Sequence, residues 1–354
     1  MKDIYGDFYN PTKLLSTHKP YLFSIGVRSA GKSTGFCIHL LKEYMKSGKQ
    51  FIYMRRTKDE LEANAHKAFN NAIWIYNDYY KGKKGYPKIE SFEFKNNVYY
   101  INDKIAGFAI PLSLQSKYKS IDFSNVWYVL YDEFLISESG GSYLGGRENM
   151  FKECEAIMSL FITVDRRIGE AFRNELTMIC IGNNETYQSP VFMRMGIDKF
   201  LTKETRFLNP KNEGWAVEQT FSVKALSEAK KSNAYLLSSD YTKSYAFEGG
   251  IFDEKFIGCP DGRLYPLFNI AYSGYTYGVY NTENYDIYIS TKECRDCPTL
   301  AATGKDHSPD YELIKQWHSN FYMTKLRDSI VKGKIWYENA RCKYAIETFY
   351  GYDK

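Results

Sequence analysis

Eight consecutive residues constrain this chain more than any other feature: Gly26-Val27-Arg28-Ser29-Ala30-Gly31-Lys32-Ser33. They fit G-x-x-x-x-G-K-[ST], the loop that wraps its backbone around a nucleotide's phosphates. The glycines permit a tight wrap, so that backbone N–H groups through Arg28, Ser29 and Ala30 can point inward. Lys32 supplies a compact cation for the β- and γ-phosphates. The Ser33 hydroxyl is placed for Mg²⁺, and Thr34 belongs to the same cradle. The setting fits the motif. Tyr21-Leu22-Phe23-Ser24-Ile25 reads as a buried strand running into the loop, and Lys32 to Met45 reads as a helix whose positive end faces the phosphates. A chance glycine-rich turn would rarely sit between a strand and a helix, so a bound nucleoside triphosphate is expected.

The length of 354 residues is enough for about two domains. Hydrophobic content of 44% and charged content of 25% describe an ordinary soluble globular chain. A net charge of +5 suits a polyanionic partner without demanding one. The seven cysteines are scattered, no leading apolar stretch resembles a signal peptide, and no apolar run approaches ~18 residues. A reduced, cytosolic setting is therefore expected, with no membrane partner. Cys294-Arg295-Asp296-Cys297 has the spacing of half a zinc site, which His307 or Cys259 would have to complete. Without a second pair, a loop with two free thiols is the better reading.

Alternation of strand-like and helix-like segments over residues 1–196 is the pattern of an α/β domain with a mainly parallel sheet. Gln50 to Met54 reads as a strand, and Asp59 to Tyr80 as one polar helix. Three short runs from Glu90 to Ile110 read as a meander on the sheet edge. Trp127 to Tyr131 and Leu176 to Ile181 read as strands buried on both faces. A helix is expected from Glu148 to about Arg167. The pattern loosens over 197–238, which reads as a linker region. A smaller α+β domain is then expected over 239–354, with strands Leu264 to Ile270, Tyr275 to Tyr280 and Tyr285 to Ser290. Helices are expected near Tyr311 to Ser319, Phe321 to Lys332 and Trp336 to Tyr350.

ATP hydrolysis needs more than a cradle: an acid for the metal, a group to activate water and a sensor of the γ-phosphate. The strand Val129-Leu130-Tyr131 ends in Asp132, placed to hold the Mg²⁺ shell, and the adjacent Glu133 suits a general base. Paired acids that recruit water argue against a small-molecule kinase, which excludes it, and the presence of Glu133 argues against a non-catalytic adaptor. Asn183, at the tip of the next buried strand, is either a sensor of attacking water and γ-phosphate or a turn asparagine. Arg166 and Arg167, at a helix end, either stabilise the helix dipole or reach a neighbouring subunit's nucleotide.

Together with Phe8-Tyr9-Asn10-Pro11, Gln50 to Arg56, Ala109 to Ser113, Asp132-Glu133-Phe134, Phe256-Ile257-Gly258 and Tyr272 to Val279, these features resemble the DNA-packaging ATPases of φ29-type bacteriophages. The likeness runs over nearly the whole chain. It implies a P-loop ATPase domain of the additional-strand (ASCE) type, and a C-terminal domain with an RNase H-type nuclease fold that has lost its catalytic acids. It implies a homopentameric ring at the portal vertex of an empty capsid, where ATP hydrolysis drives double-stranded DNA inward. Partners implied are the DNA, the portal (connector) protein and, in φ29-type phages, a structural packaging RNA. Residue by residue, Lys32, Ser33, Asp132 and Glu133 match the Walker motifs. Arg166 matches the trans-acting arginine, with Arg167 as its rival in register. Asn183 matches the sensor, and Lys119, with Lys117 nearby, a second trans-acting basic residue. Ser29 departs from a glycine common in the loop. The competing reading is a large terminase whose C-terminal domain cuts DNA. Its candidate acids Asp261, Glu283, Asp286 and Asp296 lie outside apolar strand interiors, where a two-metal nuclease needs them clustered.

Overall fold

In the computed structural model the described residues are 3–6, 8–27, 30–136, 142–146, 149–166, 175–183, 189–201, 205–220, 231, 257–314 and 320–350. The chain divides into two compact units. The first is Met1–Gly141, Glu155–Thr186 and Thr202–Phe252; the second is Ser142–Cys154, Tyr187–Leu201 and Asp253–Lys354. This differs from the division 1–196, 197–238 and 239–354 expected from the sequence. Residues 142–154 and 187–201 group with the second unit because Met150, Phe151 and Met193 bury themselves in its apolar core with Phe268, Ile270 and Leu326. The expected linker supplies strands to the first unit instead.

In chain order, the elements of the first half are α1 (Thr12–Leu15), β1 (Tyr21–Gly26), α2 (Lys32–Ser47), β2 (Gln50–Arg55), α3 (Lys58–Asn64) and α4 (Asn70–Tyr80). Then come β3 (Phe92–Lys95), β4 (Val98–Ile101), β5 (Lys104–Pro111), β6 (Val126–Asp132), α5 (Lys152–Asp165) and β7 (Thr177–Asn183). After α6 (Pro190–Met195), β8 (Phe207–Leu208) and β9 (Trp215–Thr220) return to the first unit. Its sheet has the order β3-β4-β5-β2-β6-β7-β1-β9-β8. The six strands from β5 to β9 in that order run parallel. The β3–β4 ribbon and β8 join antiparallel at the two edges. β5 is thus both the last strand of the expected meander and a full member of the parallel core. The central strands are apolar almost throughout because helices cover both faces of a parallel sheet, and β1 and β2 are buried over five of their six residues.

β7 lies between β1 and β6, the additional-strand order the resemblance implies. The expected helix from Asp59 to Tyr80 is broken instead into α3, a 3₁₀ turn at Ala65–Lys67, and α4. Tertiary contact overrides the helical pattern there. The Ala65 carbonyl accepts a hydrogen bond from the buried Tyr99 hydroxyl at 2.9 Å, and Phe69 packs its ring on Phe51 and Tyr99. A capping box between Thr57 and Glu60 starts α3.

The second unit is built on a six-stranded sheet. β10 (Leu264–Tyr272), β11 (Tyr275–Thr282) and β12 (Ile287–Ser290) form an antiparallel meander. β13 (Thr299–Ala301) and β14 (Glu312–Leu313) add in parallel beside β10. β14 occupies part of the segment expected as a helix from Tyr311, the rest of which is mostly outside the described residues. α7 (Phe321–Val331) is followed by β15 (Ile335–Tyr337), which pairs in parallel with β12, and by α8 (Ala340–Tyr350). The expected helix from Trp336 therefore starts later. Ile335-Trp336-Tyr337 alternates buried and half-buried as a strand does, and the Asn339 side chain accepts from the Cys342 N–H to start α8. Of all residues on these six strands only Glu312 is acidic. No described helix is long and apolar enough to cross a membrane.

An N-terminal strap closes over the start of α2. The Tyr9 N–H donates to Ala30 O at 3.1 Å, and the Tyr9 hydroxyl donates to Glu218 on β9 at 2.6 Å. A Cβ at Gly35 would lie 2.1 Å from the Tyr9 carbonyl oxygen, a backbone atom that cannot swing aside. Gly35→Ala is therefore expected to lift the strap and cost ~1–3 kcal/mol, the usual range for overpacking. Urea denaturation checks this, and an unchanged midpoint would show that the strap does not pack on α2.

Candidate active site

Three strand ends and one helix start converge at the carboxyl edge of the parallel strands. β1 runs into the phosphate loop and α2. β6 ends on Asp132. β7 ends on Asn183, level with Gly26 in the β1–β7 pairing. The convergence leaves a cavity of about 220 Å³, lined by residues 30–34, by Asp132 and Glu133, and by Asn183. The expected cradle, both acids and the candidate sensor are thus brought together. Arg28 and Ser29 lie outside the described residues, as does Arg167. Lys119, just past the 3₁₀ turn Leu112–Tyr118, is exposed, as is Lys117 beside it. Arg166 directly follows α5 and is also exposed. Neither Lys119 nor Arg166 lines this cavity.

The loop geometry suits phosphate. Gly26 has φ 155, and a Cβ there would lie 2.1 Å from the Thr220 hydroxyl oxygen. Only glycine lets β1 pass so close to β9 and still turn. Gly31 caps α2 in the left-handed region, so the helix begins at Lys32 with the N–H groups of its first turn at the cavity. Lys32 is buried, and its ammonium donates to the carbonyls of Gly26 at 3.0 Å and Val27 at 2.7 Å. The cation is held under the loop that would enclose the phosphates.

Asp132 is the centre of a buried polar network. It is 7% exposed at the end of an apolar strand, where an unpartnered carboxylate would be costly. Ser33 Oγ donates to its Oδ1 at 3.1 Å. Tyr53 Oη and Arg55 Nη2 donate to its Oδ2 at 2.9 and 2.8 Å. Arg55 also donates through Nε to Tyr53 Oη at 3.0 Å and through Nη1 to Glu133 Oε2 at 2.5 Å. Burial alone would lower the Arg55 pKa, but Asp132, Tyr53 and Glu133 together hold it above its ordinary value. Burial, then the Asp132 charge, pushes the Tyr53 hydroxyl up, so it stays protonated and donates.

Glu133 has φ 59, in the left-handed region where non-glycine residues are uncommon. Bonds on either side keep it there. The Phe134 N–H donates to Ile181 O at 3.1 Å, and Arg56 Nη2 donates to Phe134 O at 2.7 Å and Glu133 O at 3.3 Å. The Glu133 side chain is 61% exposed, so a carboxylate open to solvent stands beside a buried one. Such a pair can divide its work, one acid serving a cation and the other a proton. Among the described residues no cluster of three or more His, Cys, Asp or Glu could cage a metal by itself. A hydroxyl and a carboxylate at 3.1 Å suit Mg²⁺, which is commonly held by one or two protein oxygens together with substrate phosphates.

Tyr53, Arg55 and Arg56 were not singled out from the sequence as site residues. Their trace was there: an apolar strand ending in two arginines, with Tyr53 and Arg55 on one face by the two-residue period. Their partners appear only once β2 is placed beside β6, with Met54 paired to Tyr131. Removing the Arg55 guanidinium leaves a buried carboxylate short of its counter-ion. Arg55→Ala is expected to cost ~3–5 kcal/mol, the range for breaking a buried pair. Arg55→Met combined with Asp132→Asn should recover much of that loss. Chemical denaturation of the two variants checks both, and additive losses would show that Arg55 and Asp132 are not coupled.

Comparison with known proteins agrees with this geometry. A family model described as Podovirus DNA encapsidation protein (Gp16) matches residues 4–351. The DNA packaging protein of Bacillus phage phi29 is 27% identical over 341 residues, covering 94% of this chain and 93% of its own length. A solved structure of the bacteriophage Phi-29 viral genome packaging motor assembly superposes with a TM-score of 0.73 at 26% identity, covering 97% of this chain and 98% of that one. The crystal structure of the N-terminal domain of the phi29 DNA packaging ATPase matches with a TM-score of 0.51 at 29% identity, covering 61% of this chain and 98% of that one.

Proposed function

The chain belongs to the podovirus DNA encapsidation family and is a phage DNA-packaging protein, and we propose that it drives packaging by hydrolysing ATP within a homopentameric ring. The observation that carries this reading is the single cavity shared by Lys32, Ser33, Asp132, Glu133 and Asn183. Lys32 neutralises the β- and γ-phosphates, and the N–H groups at the start of α2 hold their oxygens. Ser33 and Asp132 are the protein oxygens for Mg²⁺, which when bound neutralises charge on the phosphates. Glu133 takes a proton from the attacking water, which Asn183 orients. Arg55 keeps both carboxylates in place from behind.

Arg166 and Lys119 are exposed away from this cavity, which suits groups that act on the nucleotide of a neighbouring subunit. A ring of such sites would move double-stranded DNA by gripping phosphates without reading bases. The portal protein of an empty capsid and, as in φ29-type phages, a structural RNA are its proposed further partners, met in the host cytoplasm. The second unit does not act as a nuclease in this reading. Two-metal cleavage needs clustered carboxylates, and its described strands carry Glu312 alone. That consideration disfavours the large-terminase alternative.

Mg²⁺-dependent ATP turnover by the assembled protein tests the site directly. Lys32→Ala should weaken nucleotide binding. Glu133→Gln should retain binding and lose about 10²–10⁴-fold in turnover, the usual worth of a general base. Turnover at the native rate in Glu133→Gln would remove Glu133 from the mechanism. Subunit mixing tests the trans arrangement: Arg166→Ala chains and Glu133→Gln chains, each inactive alone, should regain activity where an intact Glu133 faces an intact Arg166. No recovery in confirmed mixed rings would leave Arg166 a structural residue.

A further inference from the structure

A second cavity, larger than the phosphate site, lies on the surface of the first unit where α4 ends. It encloses about 510 Å³ between α4 and residues 81–88, and it is lined by four aromatic rings, by Lys81 and Lys88, and by the single acid Asp78. Trp74 stands at its rim with 70% of its surface exposed. An indole face beside a preformed cavity is open there to stack on a flat ligand.

The cavity is braced by contacts that do not involve the nucleotide site. The Tyr76 hydroxyl donates to Pro87 O at 3.3 Å. Asn77 holds Ile89 from both sides, donating to its carbonyl at 3.0 Å and accepting from its N–H at 2.9 Å. Tyr80 and Tyr86 stack face to face, with centroids 3.8 Å apart and planes 11° from parallel. The loop is thus folded back on α4 in one arrangement, and a preformed pocket of this size accommodates a nucleotide.

Charge narrows the occupant. Residues 81–88, Lys-Gly-Lys-Lys-Gly-Tyr-Pro-Lys, carry four lysines and no acid. Lys88 is engaged by Glu90 at 2.7 Å, and the Lys83 ammonium lies 3.4 Å over the Tyr79 ring. Lys81 and Lys84 make no ion pair among the described residues. The one exposed ring, Trp74, beside the unpaired Lys81 and Lys84 matches the two halves of an unpaired nucleotide, a base face that stacks and a phosphate that seeks a cation. A duplex offers the lysines its phosphates but keeps its base faces stacked away from Trp74. An acidic peptide would satisfy the lysines and leave the ring in water.

We propose that the cavity between α4 and residues 81–88 binds single-stranded nucleic acid, an unpaired base stacking on Trp74 while flanking phosphates meet Lys81 and Lys84. Neither rings nor ammonium groups read the 2′-position, so ribose and deoxyribose strands are bound alike. The site lies apart from the nucleotide cavity and does not depend on the ATPase reading.

Fluorescence anisotropy of the full chain with a labelled oligonucleotide of about ten residues tests this, with excess unlabelled duplex DNA occupying duplex-binding surfaces. The native chain should bind the single strand at least about ten-fold more tightly than Trp74→Ala, with Trp74→Phe restoring part of the affinity. Lys81→Ala with Lys84→Ala should weaken binding and flatten the logarithmic salt dependence by about 1.4, two phosphates at ~0.7 each. The urea-denaturation midpoint should be unchanged in all three variants, which shows that they fold. RNA and DNA strands of one sequence should differ by less than about three-fold. Unaltered affinity in Trp74→Ala, or a preference confined to one sugar, would overturn the proposal. So would a change in assembly state on Trp74→Ala without a change in oligonucleotide affinity, which would make this face a contact between protein chains.

Discussion

The structure depends most on keeping one carboxylate charged where water hardly reaches. Asp132 sits at the end of β6, nearly buried, at the edge of the candidate site. Desolvation of such a group costs several kcal/mol unless donors replace the lost water. Ser33 from α2, together with Tyr53 and Arg55 from β2, supplies those donors. β2 must therefore lie directly beside β6, and α2 must begin where the Ser33 hydroxyl faces the strand end. The sheet order and the site are one arrangement seen at two scales.

Glu133 follows Asp132 immediately, which raises a geometric difficulty. In an extended strand, neighbouring side chains point to opposite faces, so two consecutive acids could not serve one cavity. The chain resolves this by ending β6 at Asp132 and turning Glu133 into the left-handed region. A bulky residue there costs on the order of 1–3 kcal/mol and persists only where its surroundings determine it. The bonds from Phe134 to Ile181 and from Arg56 to the Glu133 and Phe134 carbonyls do so. Arg55 then reaches both acids with one planar fork, as a guanidinium can and an ammonium cannot. Strain at Glu133 is thus the means by which residues adjacent in sequence come to line one cavity.

The parts of this site that were legible in the sequence are those that a single element defines. The phosphate loop, the acids at the tip of an apolar strand and Asn183 at the next strand tip needed only local patterning, and all line one cavity. Arg55 was not legible as a site residue because its meaning lies in the pairing of β2 with β6, a contact between residues some 77 positions apart. Residues 59–80 have the composition of one helix, and only the buried Tyr99 hydroxyl and the Phe69 ring explain the break. The Asn339 cap was present in the sequence but was outweighed by the apolar run before it, which proved to be β15. Residues 142–154 and 187–201 illustrate the hardest case. Nothing local marks Met150, Phe151 or Met193 as belonging to a core whose other members lie more than seventy residues further on.

The phosphate loop itself shows why the motif is not the whole of its own support. Gly26 is required by the motif, yet its closest constraint is Thr220, on a strand that composition alone reads as linker. Gly35 is absent from the motif, yet it is the point at which α2 meets the Tyr9 backbone. Phe8 covers the other side, where a Cβ on Gly31 would lie 2.7 Å from its ring. The loop is therefore held between the N-terminal strap and β9, and Tyr9 joins the two by its 2.6 Å bond to Glu218. The pair is largely screened from water, and that burial raises the pKa of Glu218 and of the Tyr9 hydroxyl. A loop that must wrap a highly charged ligand without first reorganising benefits from such bracing, because the ordering cost is met during folding rather than at each binding event. Residues 8–11 and 215–220, outside the motif, thus hold the loop from both sides.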